Sequence, residues 1–299
     1  MDSRLKQHHL GFWQVINQPT PHELQKYYAD KYYQEAEGSY ELDYTQEELR
    51  YFQAKLEQRW AVVQRYRGVN PGRMLDIGCG EGYALAFFRE KNWSVKGFDY
   101  SSEGVSSKNP ELKDALISGD VFQLLAEEIA NGQDHDVVWL QNVLEHVLDP
   151  VGLLQSLRSL VAPDGLAVVT VPNDFSVTQL AALASGHIES NFWVAPPEHL
   201  SYFDAESLVK VCFATGWECV DILGDFPVDW FLFCHGSNYI QDKKVGKEVH
   251  RARIKLENLI HARPIDGVIN FWSALAKIGM GRNLTAFLRP TKKRTVFNG

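Results

Sequence analysis

The sequence predicts an α/β fold in which a parallel sheet is covered by helices on both faces. From Arg73 onward, short apolar runs alternate with amphipathic stretches, a pattern typical of strand–helix–strand units. A glycine-rich loop follows the first apolar run, and parallel sheets bind their ligands at such strand ends. Hydrophobic residues make up 45% of the 299 residues, which excludes a disordered chain and provides for a sizeable core.

The predicted elements alternate along most of the chain. Strands are expected at 73–77, 93–98, 115–118, 136–141, 165–171, 217–223 and 283–288. Helices are expected at 82–91, 101–108, 121–131, 151–161, from Asp204 as N-cap to about Thr215, and at 246–262 and 266–279. Function is therefore to be sought just after each strand, where the carboxyl ends of parallel strands meet.

The first seventy residues are predicted to be helical. Thr45 and Glu48 form a capping box, and apolar residues then recur at helical spacing until a helix end near Gly68. An aromatic stretch at 27–33 precedes this helix, and it either packs helices together or covers a ligand cleft. We divide the chain into a helical N-terminal extension, a ligand-binding domain and a helical insertion. Their ranges are 1–70, 71–224 with 281–290, and 225–280.

Charge is distributed unevenly along the chain. The net charge is −8, made up of −17 over residues 1–240 and +9 over residues 241–299. The acidic residues 1–240 make nucleic acid an unexpected partner, although the basic residues 241–299 leave open a local nucleic-acid-binding surface. No apolar run approaches the roughly 18–20 residues that span a bilayer, and the first residues lack the apolar stretch of a secretion signal. Four cysteines without paired-ligand spacing favour reduced thiols and a cytoplasmic protein.

The loop after the first strand is specific in its spacing. Asp76 leads into Gly78, Gly80 and Gly82, and these glycines let the backbone turn tightly and approach a ligand. A dinucleotide fingerprint needs two residues between its second and third glycines, whereas one residue separates Gly80 from Gly82. Asp76 would also repel a pyrophosphate. A dehydrogenase is therefore disfavoured.

Acidic residues end three successive predicted strands. Asp99 follows the second strand, at the position where a carboxylate accepts hydrogen bonds from both hydroxyls of a ribose. Asp120 follows the third strand and is placed to contact an adenine amino group. Each acid alone is typical of a surface or capping residue. Their recurrence with Asp76 at three strand ends indicates a nucleoside-containing ligand.

With these motifs, the segment from about Arg73 to Leu223 resembles the class I S-adenosylmethionine-dependent methyltransferases. The resemblance implies a Rossmann-like sheet of seven strands, mostly parallel, with the last strand antiparallel. It also implies S-adenosyl-L-methionine as the cofactor, a cationic sulfonium that tolerates nearby acids. The cofactor-binding residues that it implies are Asp76, Gly78, Cys79, Gly80, Asp99, Tyr100, Asp120, Val121, Gln141 and Asn142. Cys79 is expected to be a small buried residue rather than a nucleophile.

The fourth strand and the turn after it resemble the ubiquinone-biosynthesis O-methyltransferases and the related sugar and polysaccharide methyltransferases. Some of these have a Glu-x-x-Glu-His arrangement proposed to hold a divalent metal. Asn142 stands here at the first position of that pattern, and because an amide is a poor substitute for a charged ligand, we predict no metal. His199 and His146 are the candidate catalytic bases for a hydroxyl acceptor, with His199 slightly favoured; each alternatively fixes a loop.

The acceptor pocket is predicted from residues after the fifth strand and in the insertion. Asn173 and Trp193 lie in the long connection 172–197, whose aromatic residues form a pocket wall or pack against the core. Arg251, in the basic insertion, is the candidate for binding an acidic, phosphate- or nucleotide-linked acceptor, although charges of this kind more often belong to a solvated helix face. The insertion is expected to serve as a lid, a substrate element or the contact face of a homodimer.

These features together predict a cytoplasmic methyltransferase acting on a hydroxyl of a small molecule or carbohydrate. Methylation of nitrogen or carbon is the nearest alternative, because fold and cofactor do not determine the acceptor atom. A non-catalytic partner subunit that binds the cofactor is an alternative of another class. An RNA methyltransferase is a third, which the acidic body disfavours.

Overall fold

A computed structural model describes residues 2–24, 26–27 and 43–291 of the chain. Its centre is a seven-stranded sheet with the order β5-β4-β3-β6-β7-β10-β9. These strands are β3 (Arg73–Ile77), β4 (Ser94–Asp99), β5 (Leu116–Ser118), β6 (His135–Gln141), β7 (Val161–Pro172), β9 (Trp217–Gly224) and β10 (Asn283–Pro290). Strand β10 is inserted between β7 and β9 and runs antiparallel to both. The predicted seven-stranded Rossmann-like sheet with an antiparallel last strand is confirmed.

Helices cover both faces of the sheet. They are α1 (Gln46–Arg67), α2 (Tyr83–Glu90), α3 (Glu103–Lys108), α4 (Val121–Ala130), α5 (Pro150–Leu157), α6 (Val177–Ala184), α7 (Ala205–Ala214), α8 (Gly246–His261) and α9 (Ile265–Lys277). Two clusters of buried apolar side chains separate them from the sheet. One includes residues of α1, α2 and α9, and the other includes residues of α4, α5 and α7. The sheet is therefore buried on both faces, as its apolar strands require.

Helix α1 begins at the predicted capping box. The Thr45 side chain accepts from the Glu48 amide, and the Glu48 carboxylate accepts from the Thr45 amide. The apolar stripe of this helix faces the sheet, where Trp60 packs edge-on against Phe88 and Trp93. Because α1 crosses the carboxyl ends of the central strands, its polar residues are carried to the ligand-binding edge of the sheet.

The prediction that the first seventy residues are helical is wrong at their start. Strand β1 (Leu5–Gln7) pairs with β2 (Trp13–Val15), and β2 pairs with β8 (Ser201–Tyr202). Leu5 and Val15 are buried in this small three-stranded sheet, and the burial of apolar side chains against the rest of the protein favours strands. Most of the aromatic stretch at 27–33 lies outside the described residues, as does the rest of the chain up to residue 42.

The boundary between the predicted helix 151–161 and strand 165–171 is also wrong. Helix α5 ends at Leu157, and β7 already begins at Val161. The residues Pro163, Asp164 and Gly165 indicate a turn in the sequence, but they are accommodated within the strand. A register irregularity between His135 and Val137 of the neighbouring β6 accompanies them.

The helical insertion packs beside α1. Helix α8 lies along α1, where the Asn258 amide donates to the Glu47 carbonyl. Helix α9 packs on β9 and completes the apolar cluster of α1 and α2. Within the described residues, no helix combines the length and the apolar character that crossing a membrane requires.

Candidate functional site

The candidate site is a cavity of about 440 Å³ at the carboxyl ends of β3 and β6. Strand β3 is paired with β4 on one side and β6 on the other, so this point is where the direction of strand order reverses. Such a switch point is the expected ligand-binding position of an open parallel sheet. The cavity is lined by Tyr44, Tyr51, Phe52, Lys55, Leu56, Arg59, Asp76, Gly78, Cys79, Gly80, Glu81, Gly82, Tyr83, Ala84, Trp139, Gln141, Asn142, Thr170 and Asn283.

The glycine loop forms the floor of this cavity. Gly78, Gly80 and Gly82 have φ values of +72°, +54° and +80°, a backbone conformation that side chains disfavour. A Cβ on Gly80 would meet no protein atom within 4 Å, so this glycine borders open space. The loop is also packed from behind, because a Cβ on Gly104 of α3 would lie 2.4 Å from the Gly80 carbonyl oxygen. The backbone therefore forms a fixed cradle that a ligand can approach closely.

Two carboxyl groups border the loop. Asp99 is buried, and its oxygens accept from the Gly80 amide at 2.8 Å and from the Ser101 amide at 3.0 Å. Burial raises the pKa of Asp99, although those amide hydrogen bonds oppose the shift. Asp76 is 3% exposed, and burial together with the nearby Asp99 carboxyl raises the pKa of Asp76 to about 8. A cationic group placed here would compensate the buried negative charge.

The residues predicted to surround an adenine lie beyond the cavity, at the ends of β4 and β5. Tyr100 is 39% exposed directly after β4. Asp120 caps α4, where its carboxylate accepts from the Phe122 and Gln123 amides, and Val121 is buried at the first position of that helix. The capping role that the sequence offers for Asp120 is thus present in the structure. The contacts of Tyr100, Asp120 and Val121 with adenine stay predictions.

Gln141, Asn142 and Cys79 line the cavity next to the glycine loop. Asn142 has a φ of +53°, and its backbone amide donates to the Thr170 carbonyl, so the end of β6 is held against β7. Cys79 is buried, and burial raises the pKa of its thiol, which fits an unreactive filler. The structure thus brings the predicted residues Asp76, Gly78, Cys79, Gly80, Gln141 and Asn142 together around one cavity.

Sequence reasoning missed the contribution of α1. Tyr51, Lys55 and Arg59 follow one another at intervals of four and line the cavity from above the glycine loop. The Arg59 guanidinium donates to the Gln141 side chain at 2.6 Å and lies 5.7 Å from the Trp139 ring. This polar row could have been found beside the apolar stripe of the same helix, because the i, i+4 spacing places its members on one face.

The Lys55 ammonium is held by carboxylates from two other segments. Its Nζ donates to Asp225 at 3.2 Å and lies 3.8 Å from a carboxylate oxygen of Glu257 on α8. These charges raise the pKa of Lys55 although burial opposes them, so the ammonium stays protonated. Asp225 also accepts from the backbone amides of Arg282 and Asn283 and from the Asn283 side chain, each at 2.7 Å. Its lone pairs are therefore fully used.

The two candidate bases lie together, beside Glu145. The rings of His146 and His199 are 4.8 Å apart and edge-on. His146 Nδ1 lies 2.6 Å from the Glu198 carbonyl, which can only accept, so Nδ1 carries the proton and Nε2 the lone pair of the neutral ring. Neither histidine is among the residues that line the 440 Å³ cavity. Their catalytic role stays a prediction.

Glu145, His146 and His199 also have the chemistry of a metal-binding set. One ligand atom from each lies within 4.8 Å of the others. Burial and the nearby Asp174 carboxyl raise the pKa of Glu145 to about 8, so the free carboxyl group is protonated at neutral pH and would have to lose this proton to bind a metal. The expectation that the protein holds no metal here stays a prediction.

The three predicted acceptor-binding residues are placed apart from the cavity. Asn173 is fully buried, and its amide donates to the carbonyls of Gly279 and Gly281, which joins β7 to the segment before β10. Trp193 is buried against Phe175 and Phe192, with ring centroids 5.4 Å and 5.3 Å away. Arg251 is exposed on α8. Packing therefore accounts for Asn173 and Trp193, and a solvated helix face accounts for Arg251.

Comparison with known proteins identifies the family of the domain that contains this site. Residues 46–222, more than half of the chain, match the family model described as "Methyltransferase domain". The chain is 26% identical over 165 residues to the "Ubiquinone biosynthesis O-methyltransferase" of Aromatoleum aromaticum, covering 54% of this chain and 70% of that protein. It is 30% identical over 156 residues to the protein of the same name from Rhizobium etli, covering 52% and 63%.

Solved structures with the same fold include two methyltransferases. The plantazolicin methyltransferase BpumL, solved in complex with SAH, aligns with a TM-score of 0.51 at 16% identity, covering 90% of this chain and 95% of that one. The 1,6-didemethyltoxoflavin-N1-methyltransferase of Burkholderia thailandensis, with bound S-adenosylhomocysteine, aligns with a TM-score of 0.50 at 14% identity. The alignment covers 97% of this chain and all of that one. At these identities the likeness concerns the fold.

Proposed function

Because the chain belongs to the methyltransferase-domain family and uses S-adenosylmethionine, we propose that it methylates a hydroxyl group of a small acidic molecule or carbohydrate. The observation that carries this proposal is the composition of the cavity. The cavity combines the glycine loop and Asp76 with Tyr51, Phe52, Lys55 and Arg59 of α1. The cofactor carries two positive charges and one negative charge, and with an anionic acceptor it matches these acidic and basic residues in charge.

The residues of the cavity suit the cofactor's two charged ends. The Arg59 guanidinium, which donates to the Gln141 side chain, has the planar fork geometry that binds carboxylates. It is proposed to hold the carboxylate of the methionine part. Asp76 is proposed to face the ammonium and sulfonium charges, and Asp99 to accept from the ribose hydroxyls. When bound, S-adenosylmethionine supplies an electrophilic methyl group. The open space above Gly80 leaves room for this close approach.

The acceptor oxygen must lie in line with the breaking bond and must lose its proton. The ends of β6 and β7, marked by Asn142 and Thr170, line the cavity beside the expected methyl position. His146 and His199 are the proposed proton acceptors, because an imidazole can take a proton near neutral pH. An oxygen acceptor is supported by the names of the curated relatives, which are O-methyltransferases.

The test is a turnover assay with methyl-labelled S-adenosylmethionine and a panel of acceptors. The panel should contain hydroxybenzoates, catechols, sugar phosphates and nucleotide sugars, each with an uncharged analogue. Formation of an O-methyl product, identified by NMR, is the expected result. Products methylated on nitrogen or carbon would contradict the oxygen assignment, whereas cofactor binding without any product would favour a partner subunit.

Two variants test the proposed bases. His146→Ala and His199→Ala are expected to lower kcat with little change in S-adenosylhomocysteine affinity, and removing a general base typically costs about 10²–10⁴-fold in rate. Full activity of both variants would assign the proton to another group.

Because the four cysteines are free thiols, we also propose a cytoplasmic location, which cell fractionation tests.

A further inference from the structure

The acceptor side of the cavity contains a buried cation whose hydrogen-bonding capacity is only partly used. An ammonium has three donors, and Lys55 makes one hydrogen bond among the described residues, to Asp225. Its contact with Glu257 at 3.8 Å is an ion pair beyond hydrogen-bond distance. The Lys55 side chain is 12% exposed, and it lines the cavity together with Asn283 and Thr170 at the ends of β10 and β7.

The charges around Lys55 do not balance among the described residues. Lys55, Arg59 and Arg253 contribute three positive charges, and Asp225 and Glu257 contribute at most two negative ones. Burial raises the pKa of Glu257, and the nearby Lys55 ammonium opposes this shift. Buried charges are stable when they are paired, so this count leaves one positive charge for an anion from outside the protein.

One missing anion is assigned by the proposed function, on which this inference rests. The cofactor's carboxylate goes to Arg59, which contacts Gln141 next to the glycine loop. Lys55 lies one turn earlier on α1 and is anchored to the segment that joins β9 and β10, away from the loop. Among the described residues, Lys55 therefore keeps hydrogen-bonding capacity for a group of the acceptor, which is proposed to lie at the ends of β6 and β7. The exposed Arg251 on α8 is not among the residues that line the cavity.

We propose that Lys55 is the specificity-determining residue that binds an anionic oxygen group, carboxylate or phosphate, of the methyl acceptor. Asp225 is the positioning residue: its saturated carboxylate fixes the ammonium against β10. Tyr51 supplies an aromatic surface next to the ammonium, with its ring centre 5.4 Å from Nζ. The acceptor is thus held by its charge at Lys55, while its hydroxyl lies at the ends of β6 and β7.

The experiment titrates protein saturated with S-adenosylhomocysteine, using benzoate, its uncharged analogue benzamide, and inorganic phosphate. A hydrogen bond to a charged group is worth about tenfold to a hundredfold in affinity, so wild-type protein should bind benzoate or phosphate at least about tenfold tighter than benzamide. Lys55→Met should reduce this preference to within about twofold, and Lys55→Arg should retain it. Lys255→Met, an exposed lysine on α8, is the matched control and should leave the preference unchanged.

The outcomes separate this inference from the proposed function. Tighter binding of benzoate indicates that the acceptor's anionic group is a carboxylate, and tighter binding of phosphate indicates a phosphate. Either preference supports anion binding by Lys55 if Lys55→Met abolishes it. Absence of saturable anion binding, or a preference that survives Lys55→Met, overturns the inference while S-adenosylhomocysteine binding keeps the methyltransferase proposal intact. Failure of the wild type to bind S-adenosylhomocysteine contradicts the proposed function instead.

A second measurement needs no variant and covers the case in which Lys55→Met does not fold. Crystals of the wild-type protein with S-adenosylhomocysteine and benzoate should place the benzoate carboxylate within hydrogen-bond distance of Lys55 Nζ. A benzoate carboxylate bound to Arg59 or to α8 instead would refute the assignment.

Discussion

Cofactor binding is expected to release a proton from Asp76. In the free protein, burial and the Asp99 carboxyl raise the pKa of Asp76 to about 8, so this group is protonated at pH 6. The ammonium and sulfonium of the bound cofactor favour the carboxylate. If Asp76 is fully ionised in the complex, affinity increases by close to tenfold for each pH unit below 8, or about thirtyfold between pH 5.5 and pH 7.0. Between pH 5.5 and pH 7.0 the cofactor's own amino group also stays charged.

Calorimetry with S-adenosylmethionine, which carries both the ammonium and the sulfonium, measures the affinity and the number of protons released. Titrations at pH 6.0 in buffers of different ionisation enthalpy should show release of about one proton for each ligand bound. Asp76→Asn should bind the cofactor more weakly, and its affinity should lack the pH dependence that the Asp76 carboxyl causes. Asp114 is an exposed acid paired with Arg89, and Asp114→Asn should behave as wild type. A wild-type affinity that is constant from pH 5.5 to 7.0, without proton release, would refute the reasoning.

Three further predictions concern the loop and the core. Asp99→Ala should weaken S-adenosylhomocysteine binding by at least about tenfold in calorimetry, because it removes a charged acceptor, and unchanged affinity would exclude Asp99 from the ribose site. Gly104→Ala should lower that affinity as well, since its Cβ collides with the Gly80 carbonyl; Gly267→Ala, where a Cβ meets no atom within 4 Å, is the control and should leave binding intact. Trp60→Ala should reduce the free energy of unfolding in urea by about 3–5 kcal/mol, and a loss below 1 kcal/mol would contradict its place in the core.

The sheet was predictable because its strands are short apolar runs bounded by loop signals, and the site was predictable where its residues follow those strands. Asp76, Gly80 and Asn142 all belong to this category, and they meet at one edge because parallel strands end there. Lys55 could not be assigned from these signals. It belongs to a helix that precedes the sheet in sequence, and its partners come from the segment that joins β9 and β10 and from α8.

The N-terminal strands show a second limit of sequence reasoning. Residues 5–7 and 13–15 are too short for a periodic signal, and their pairing partner, β8, lies far away along the chain. Asn173 and Trp193 have the sequence signal of a pocket, since they are polar and aromatic residues in a long connection. Their burial and hydrogen bonds could be found only from the packing of that connection against the segment before β10 and the aromatic cluster.

The three-stranded sheet of β1, β2 and β8 has a consequence for the order in which parts of the protein open. Its β2–β8 pairing closes a loop that contains most of the chain, and it consists of two residue pairs, Trp13 with Tyr202 and Gln14 with Ser201. Long-range contacts of this kind form late and are expected to open before the central sheet does. Since His199 lies two residues before β8, local opening would release its loop while β3 and β6 stay folded. Amide hydrogen exchange should therefore be faster at β8 than at either of those strands.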